Sequence, residues 1–332
     1  MFLGIDIHKR EAQVAVRNDD GEVIEQVRVK NTDLEEIAQR YAGGEALLEA
    51  TTNYFYIYDM LSEHLDVVVG HPPKLKAIAE TDKKTDKIDA EELSRLVWLG
   101  SVPESYVPTD EIRECRALVR GRISLMEKRT SVVNKIHSLL LDNGITREVK
   151  PLSVQGREFL AELSLPAPWD GLLSAYLSVI DTITEEIDQL TTRITERAEA
   201  LEETRLLMTI PGIAHYSALV IYAEIGEIDR FDRAKEVVRY VGLNPVIRES
   251  GDSRFEGGIS KKGSGKVRWI LVQAVHSAVH TVEDEYLSRF YHRIKRRKNK
   301  QKAAVATARK LLVSIYHMLD RGEVYDPPGV TA

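Results

Sequence analysis

Apolar and polar residues alternate along the first thirty positions of the chain. Residues 2–16, FLGIDIHKREAQVAV, and residues 22–29, EVIEQVRV, show the two-residue period of β-strands. The sequence Asn-Asp-Asp-Gly between them is a turn signal. The pattern therefore predicts a hairpin of two strands at the start of the chain.

Helical and extended patterns then follow each other up to residue 100. The spacing of apolar residues predicts short buried strands at 45–51 and 66–72, and helices at 32–42, 54–65, 74–80 and 88–100. Strands mixed with helices in this way indicate an α/β layer fold. The sequence SVPESYVPT, with two prolines, marks the end of this region.

The next hundred residues have the pattern of long amphipathic helices. The stretch 110–145 contains no proline and ends in Asn-Gly, and two arginines, Arg122 and Arg129, occupy its otherwise apolar stripe. A second helix carries apolar residues at alternating steps of three and four: Tyr176, Ile180, Ile183, Ile187, Leu190, Ile194 and Leu201. This is the seam of a coiled coil, formed either within the chain or between two protomers.

Near Arg205 the pattern changes again. Two apolar helical segments flank Ile-Pro-Gly-Ile at 210–213, which resembles a helix-hairpin-helix. Such a turn either offers backbone N–H groups to a phosphate or serves to pack a core around a tight turn. Beyond it we expect a Gly/Ser-rich loop, RESGDSRFEGGISKKGSGK, leading into a helix, and a basic helical end.

The composition is that of a soluble globular protein with segregated charge. The net charge is −6, yet the segment from Tyr286 to Leu319 contains ten Lys or Arg and no Asp or Glu. This segregation suits a protein that touches a polyanion at chosen places, although a solvated basic helix has the same composition. A single cysteine, Cys115, excludes a disulfide framework. No apolar run of about 20 residues is present, and the N-terminus lacks the features of a signal peptide, so we expect no membrane partner and a cytoplasmic protein.

Four carboxylates stand out by their positions. Asp6 and Glu49 lie in predicted strands between apolar residues, where an ionised carboxylate is costly unless it is paired or binds a cation. Asp86 and Asp89 are three apart and share one helix face. Together they predict an oxygen cage for Mg²⁺ or Mn²⁺, with two ions about 4 Å apart suited to phosphodiester cleavage. Taken singly, each is also compatible with an ordinary strand-end or helix-start acid.

The motifs GIDIHK, LLEATTNY and KKTDKIDAEELSRL, in this order, resemble the DEDD-type insertion-sequence transposases (insertion-sequence family one-ten). TIPGIAHYSALVIYAEIG, VVRYVGLNP and ESGDSRFEGGISKKGSGKVRWILVQAV resemble the second domain of that family. Two departures are Thr52 and Ala214, where the family usually has glycine. The resemblance implies a RuvC-like (ribonuclease H-like) α/β domain at 1–104, a helical coiled-coil region at 105–204 and a mostly α-helical domain at 205–332.

The same resemblance implies a nucleophilic serine, Ser250, that attacks a DNA phosphate and holds the cut strand as a phosphoserine ester. No histidine lies in that loop to activate it, and the metal ions of the carboxylate cage are one candidate activator. That would require the two domains to meet, which the resemblance implies happens in a composite site between protomers. The family also uses a structured guide RNA, whose pairing would carry target specificity. We therefore expect double-stranded DNA at the element ends and target, a guide RNA, and a homodimer or homotetramer, associated with the nucleoid of a prokaryotic cell when active.

Basic residues in three places are candidates for contact with nucleic-acid phosphates. They are Arg113, Arg116, Arg120 and Arg122 in the first long helix, Lys261, Lys262, Lys266 and Arg268 beside the serine, and Arg293, Lys295, Arg296, Arg297 and Lys298 in the basic helix.

The best interpretation is a transposase or site-specific recombinase, and two alternatives stay open. A metal-dependent, junction-resolving nuclease would keep the carboxylate cage without the covalent serine. A coiled-coil protein that binds nucleic acid without catalysis would leave the four carboxylates scattered in space.

Overall fold

The structure is a computed structural model that describes residues 1–51, 54–78, 86–250, 253–281 and 285–327, without the side chains of 77, 87 and 247–256. The chain forms two compact units, Met1–Val107 and Pro108–Ala332. The first unit ends three residues beyond the boundary that the sequence predicts. The helices of the predicted middle and C-terminal regions belong to one compact unit.

The first unit is an α/β layer fold around a five-stranded mixed sheet. The strands are β1 (Phe2–Ile7), β2 (Glu11–Arg17), β3 (Val23–Lys30), β4 (Glu45–Glu49) and β5 (Asp66–Gly70), in the order β3-β2-β1-β4-β5. β2 is antiparallel to β1 and β3, whereas β1, β4 and β5 are parallel. The helices are α1 (Leu34–Arg40), α2 (Tyr54–Ser62), α3 (Pro72–Ile78) and α4 (Asp86–Trp98). The opening hairpin and the alternation that follows agree with the ribonuclease H-like expectation.

The prediction of one long first strand is wrong. The stretch 2–16 contains two antiparallel strands, because the polar residues 8–10 form a turn closed by the hydrogen bond from His8 N to Glu11 O, 2.9 Å. The predicted turn at 18–21 is confirmed, with Gly21 at a positive φ of 83°. As a consequence, Asp6 is the next-to-last residue of β1 rather than the middle of a long strand.

The two faces of the sheet have separate cores. Leu3, Ile5 and Ile7 of β1 pack with residues of α1 and α2, as strand alternation requires. Phe2 of the opposite face packs with the apolar side of α4. The face beneath α4 is therefore the one on which Gly4 and Asp6 lie.

The second unit is mostly helical. It contains α5 (Asp110–Asp142), α6 (Val154–Glu162), α7 (Trp169–Ala200), α8 (Glu202–Met208), α9 (His215–Ile225), α10 (Ala234–Val241), β6 (Pro245–Ser250), β7 (Ser253–Ile259), α11 (Gly265–His280), α12 (Glu285–Arg297) and α13 (Lys300–Arg321). A buried core of α8 to α11 and α13 also takes in the N-terminal end of α5 and the C-terminal end of α7.

The long helices α5 and α7 pack against each other in antiparallel orientation within the chain. Every seventh residue of α7 from Leu173 to Ile194 is buried, in register with the predicted stripe. The two arginines that interrupt the α5 stripe bond across the helix pair, Arg122 Nε to Thr191 Oγ1 (2.9 Å) and Arg129 Nη1 to Thr184 Oγ1 (3.2 Å). Hydroxyl partners on α7 thus explain why arginine is tolerated in the seam.

The Ile-Pro-Gly-Ile turn between α8 and α9 packs against α11. Gly212 has φ +88°, and a Cβ there would come within 2.9 Å of Ala274 O and 3.0 Å of Ala278 N. Ile210 and Ile213 on either side are buried. The turn therefore packs a core, and binding of a phosphate by its backbone N–H groups stays a prediction.

The expected Gly/Ser-rich loop is wrong in part, because its first half is a two-stranded hairpin. β6 and β7 are antiparallel, with Arg248 opposite Phe255 and Ser250 opposite Ser253. Residues 260–264 remain a loop. No helix among the described residues is long and apolar enough to span a membrane.

Candidate active site and nucleic-acid surfaces

Two of the four predicted carboxylates lie side by side at one edge of the sheet. The parallel register pairs Ile5 of β1 with Leu48 of β4, so the next residues, Asp6 and Glu49, are neighbours at the carboxyl ends of these strands. The carboxyl ends of parallel strands are where α/β sheets bind ligands. Strand alternation directs both residues to the face that α4 covers.

The other two carboxylates reach this edge because α4 lies directly on β1 at Gly4. A Cβ on Gly4 would come within 2.0 Å of Ala90 O and 2.2 Å of Ser94 N, so only glycine permits this approach. The helix is fastened further by Arg17, whose Nε donates to Ser94 Oγ over 3.0 Å in the buried interior. Asp86 and Asp89 form the first turn of α4. The close contact therefore brings the start of the helix over the end of β1.

The electrostatics of Asp6 report this convergence. Burial raises the pKa of the Asp6 carboxyl above its ordinary value; His8 lowers it, and the negative charges of Asp89, Asp86 and Glu49 raise it, in that order. All three other carboxylates thus act on Asp6. The four carboxylates therefore lie near one another in the structure, whereas the non-catalytic alternative expects them to be scattered in space.

His8 is a member of the cluster that the sequence analysis did not select. Its Nε2 lies 3.3 Å from Asp6 Oδ2 and 3.2 Å from Asp86 Oδ2. This nitrogen is buried and makes no aligned hydrogen bond to a described residue. The signal in the sequence is its position two residues after Asp6, which the prediction of one continuous strand over 2–16 conceals.

The donor set fits a divalent cation. One ligand atom from each of Asp6, His8 and Asp86 can be chosen so that all three lie within 4.8 Å of one another. Hard carboxylate oxygens are the ligands preferred by Mg²⁺ and Mn²⁺. Burial and then the neighbouring carboxylates raise the pKa of Asp6, and a cation at this place would offset the repulsion between the carboxylates.

Ser250, the predicted nucleophile, ends β6 next to the tip of the hairpin. Its side chain lies outside the described residues, as do residues 251 and 252. The loop that follows β7 is held by close backbone packing: a Cβ on Gly242 would come within 1.9 Å of Lys262 O, and one on Gly263 within 1.9 Å of Tyr240 O. The glycines here serve loop packing on the end of α10.

The basic residues of this loop and of the first turn of α11 have two kinds of environment. Arg268 Nη1 donates to three carbonyl oxygens, Val241 O (2.8 Å), Gly263 O (3.1 Å) and Lys262 O (3.2 Å), so it clamps the loop. Lys261 and Lys262 are exposed and Lys266 is half-buried. Lys261 has a positive φ of 54°, a conformation that costs energy for a residue with a side chain.

The arginines at the start of α5 tie helices together. Arg116 Nε donates to Ala223 O over 2.6 Å, and Arg120 binds both carboxylate oxygens of Glu224 in α9, at 2.7 and 3.1 Å. Arg113 bonds to Pro108 O, and Arg122 lies over the ring of Tyr216 besides binding Thr191. This packing role was not anticipated, and contact of these residues with nucleic acid stays a prediction.

The basic stretch of α12 is exposed to solvent. Arg293, Lys295, Arg296, Arg297 and Lys298 are all exposed, and the first two lie near the rings of Phe290 and Tyr291.

Comparison with known proteins gives the family. The family model described as "Transposase IS116/IS110/IS902 family" matches residues 204–292, and the DEDD transposase model of the IS110 type matches residues 3–143. The chain belongs to the IS110 family of transposases. The two matches contain the two motif blocks from which the resemblance was inferred.

Known proteins similar to this one align over most of the chain. The transposase for insertion sequence element IS1111A of Coxiella burnetii is 26% identical, with 98% of this chain and 91% of that protein covered. A probable family 20 transposase of Pseudomonas aeruginosa is 24% identical, with 98% of both chains covered. The pilin gene-inverting protein of Moraxella bovis is 29% identical over 84% of this chain and 81% of that protein. The chain is thus an enzyme that binds, cleaves and transfers DNA.

Proposed function

We propose that this transposase moves its insertion sequence with a four-carboxylate metal site and a serine nucleophile. Asp6, Glu49, Asp86 and Asp89 hold Mg²⁺ or Mn²⁺, in a pair of ions, and Ser250 forms a phosphoserine link to DNA. The observation that carries the proposal is geometric. Asp6 and Asp86 lie on either side of the His8 Nε2 atom, Glu49 neighbours Asp6 at the strand ends, and Asp89 lies in the same first helix turn as Asp86.

The chain's own residues prepare the metal site. Asp6 and Glu49 are fixed by the parallel register of two core strands, and Asp86 and Asp89 by the contact of α4 with Gly4. Cations bound there would stabilise the charge on a DNA phosphate and lower the pKa of an attacking hydroxyl. His8, between two of the carboxylates, orients them.

The covalent step conserves the energy of the phosphodiester. A bond forms between Ser250 Oγ and the phosphorus, and the bond from the phosphorus to one sugar oxygen breaks. The serine proton passes to a base or solvent, and the released sugar oxygen takes up a proton. A later attack by another sugar hydroxyl on the phosphoserine reverses the exchange, so that no high-energy cofactor is needed.

A guide RNA and a homo-oligomer complete the proposal. The resemblance to the family supports the RNA, and the segregated basic segment supports contact with polyanions. Ser250 and the carboxylates belong to different compact units, which is compatible with a composite site shared between protomers of a dimer or tetramer.

The decisive experiment looks for the covalent intermediate. The full chain is incubated with Mg²⁺, DNA that carries the element ends, and the candidate RNA, and then separated on a denaturing gel. We expect a protein–DNA adduct that is lost in Ser250→Ala and kept in Ser253→Ala, since Ser253 is the residue paired with Ser250 across the hairpin. An adduct in Ser250→Ala would remove the nucleophile assignment.

The same assay tests the metal site, the hydrolytic nuclease alternative and RNA guidance. Asp89→Asn keeps the shape of the side chain but loses its charge, so we expect loss of cleavage with an unchanged circular dichroism spectrum. Cleavage that persists in this variant contradicts the metal site. Strand cleavage by the wild type with no adduct at any time supports the hydrolytic nuclease instead, and full activity without RNA contradicts RNA guidance.

A further inference from the structure

A cleft of about 740 Å³ opens beside the hairpin that carries Ser250. One wall is the open end of the hairpin, from Pro245 of β6 and residues 257–259 of β7. α12 lines the cleft with the half-buried rings of Tyr286 and Phe290, and α13 lines it with residues between 301 and 314. Every one of these elements belongs to the second unit.

The lining combines an apolar floor with a basic rim. Val305, Ala306 and Val313 of α13 supply apolar surface. The charged residues among the described lining are all basic: Lys261, Lys302, Arg309 and Lys310. A cleft that is apolar inside and positive at its rim complements a ligand with a flat apolar part and a negative backbone.

Two details of the lining bear on ligand binding. The Lys310 ammonium lies over the rings of Tyr286 and Phe290, at 3.9 and 4.6 Å, so a cation sits directly beside the aromatic side chains of the cleft. Lys261, which also lines the cleft, is held in the left-handed region by the hydrogen bond from its N to Gly242 O. Strained backbone that persists is found most often at binding and catalytic sites.

We propose that this cleft binds an unstacked base of single-stranded DNA, with the adjacent phosphates on Lys261, Lys302, Arg309 and Lys310. Aromatic side chains beside a basic groove are the features by which proteins hold single strands without reading their sequence. The inference that this base flanks the cut rests on the proposed role of Ser250, which lies five residues along β6 from Pro245, or roughly 17 Å. Binding of the single strand itself does not depend on that role.

Binding is measured on the full-length Ser250→Ala protein, in which no adduct at this serine can form. Fluorescence anisotropy gives the Kd of a fluorescein-labelled 12-nucleotide single strand and of the matching duplex. Phe290→Leu keeps the apolar volume but removes the aromatic face, and we expect about 10-fold weaker binding of the single strand, with the duplex unchanged. Ala306→Phe places a large side chain in the cleft. In this variant we expect the single strand to bind no more tightly than the duplex.

The matched control is Phe159→Leu in α6. Phe159 also lies under a cation, Arg147 at 4.8 Å, but lies outside the cleft, so we expect no change in single-strand binding. An equal loss for single strand and duplex in Phe290→Leu would overturn the proposal, because it would reduce the cleft to a general basic surface. Tighter binding of an RNA strand of the same sequence would overturn the assignment to DNA.

The position of the base is tested separately. 5-Iodouracil is placed at successive positions around the cut, the complex is irradiated, and the cross-linked peptide is identified by mass spectrometry. We expect cross-links to Tyr286 or Phe290 only from positions within a few nucleotides of the cut. Cross-links to these residues from distant positions, together with intact single-strand binding, would contradict the placement next to Ser250 while leaving the cleft as a DNA site.

Discussion

At the scale of single residues, His8 shows how a site can be more than the residues that a motif names. The four acids follow from their unusual positions in the sequence. His8 does not, because a histidine after a strand is unremarkable until the turn at 8–10 brings it back between Asp6 and Asp86. Its nitrogen is buried and has two carboxylates as neighbours.

We predict that His8→Ala weakens the binding of Mg²⁺ and Mn²⁺ by about 10-fold, because residues that orient metal ligands typically contribute 10- to 100-fold to affinity. Isothermal titration calorimetry on the full chain, without DNA, measures this directly. His64→Ala is the control, since His64 precedes β5 and so lies at the amino ends of the parallel strands, away from the carboxyl ends that carry the site. Equal affinities in His8→Ala and wild type would exclude His8 from the site.

At the scale of elements, the position of α4 decides whether the four carboxylates meet. Gly4 is the one glycine of β1, and its replacement would push the helix away because the added Cβ would meet helix backbone that cannot move alone. Overpacking of this kind costs about 1–3 kcal/mol.

Gly4→Ala should therefore lower the free energy of unfolding by about that amount and weaken Mg²⁺ binding by displacing Asp86 and Asp89 together. Gly70→Ala is a suitable comparison in the same sheet, since its Cβ would chiefly meet the end of the flexible Leu75 side chain. Urea unfolding and calorimetry give the two quantities. A stable Gly4→Ala protein with unchanged Mg²⁺ affinity would contradict the link between this contact and the site.

Arg120 and Glu224 join α5 to α9 through a pair that titrates. Burial alone would raise the pKa of Glu224, but the hydrogen bonds and charge of Arg120, with Ser264 and Arg116, hold the pKa below its ordinary value of 4.5. A carboxyl with a lowered pKa in the folded state contributes stability above pH 4.5 that is lost as the pH falls through the folded value.

Arg120→Gln should cost about 2 kcal/mol of unfolding free energy at neutral pH, and the difference from wild type should shrink below pH 4.5. Urea unfolding at pH values from about 3.5 to about 7 measures the loss of unfolding free energy and its dependence on pH. The exposed pair of Arg157 and Asp181 provides the control, since Arg157→Gln should cost less than about 1 kcal/mol. A pH-independent difference for Arg120→Gln would mean that packing, not the charge of Glu224, links the helices.

Periodicity predicted most elements of both units, because alternation and helical spacing are local properties. It failed where contacts between residues distant in sequence determine the local structure. The division of β1 from β2 depends on pairing across the turn, and the β6–β7 hairpin forms in a Gly-rich stretch without clear alternation. The arginines of α5 looked like a phosphate-binding row because their partners, Glu224 and Thr191, lie far away in sequence.

At the scale of the whole molecule, the separation of charge distinguishes the regions that can touch DNA. The acidic segment from Asp181 to Glu203 contains eight acids and two arginines, whereas the segment from Tyr286 to Leu319 contains ten basic residues and no acid. A net charge of −6 keeps the rest of the surface repulsive to a polyanion. Binding should therefore depend on few residues, each with a measurable share.

We predict that replacing Arg296, Arg297 and Lys298 by Gln weakens duplex binding and reduces its dependence on salt. Each phosphate contact contributes about 0.9 to the slope of log K against log salt, so the loss of three contacts should lower the slope by about 2.7. Anisotropy titrations with labelled duplex at several KCl concentrations measure the slope. Arg157→Gln, which removes a half-buried, paired charge in the same unit, should leave the slope unchanged. An unchanged slope in the triple variant would show that the basic helix end is only a solvated surface, because lost phosphate contacts must release fewer counterions whatever else the substitution does to the protein.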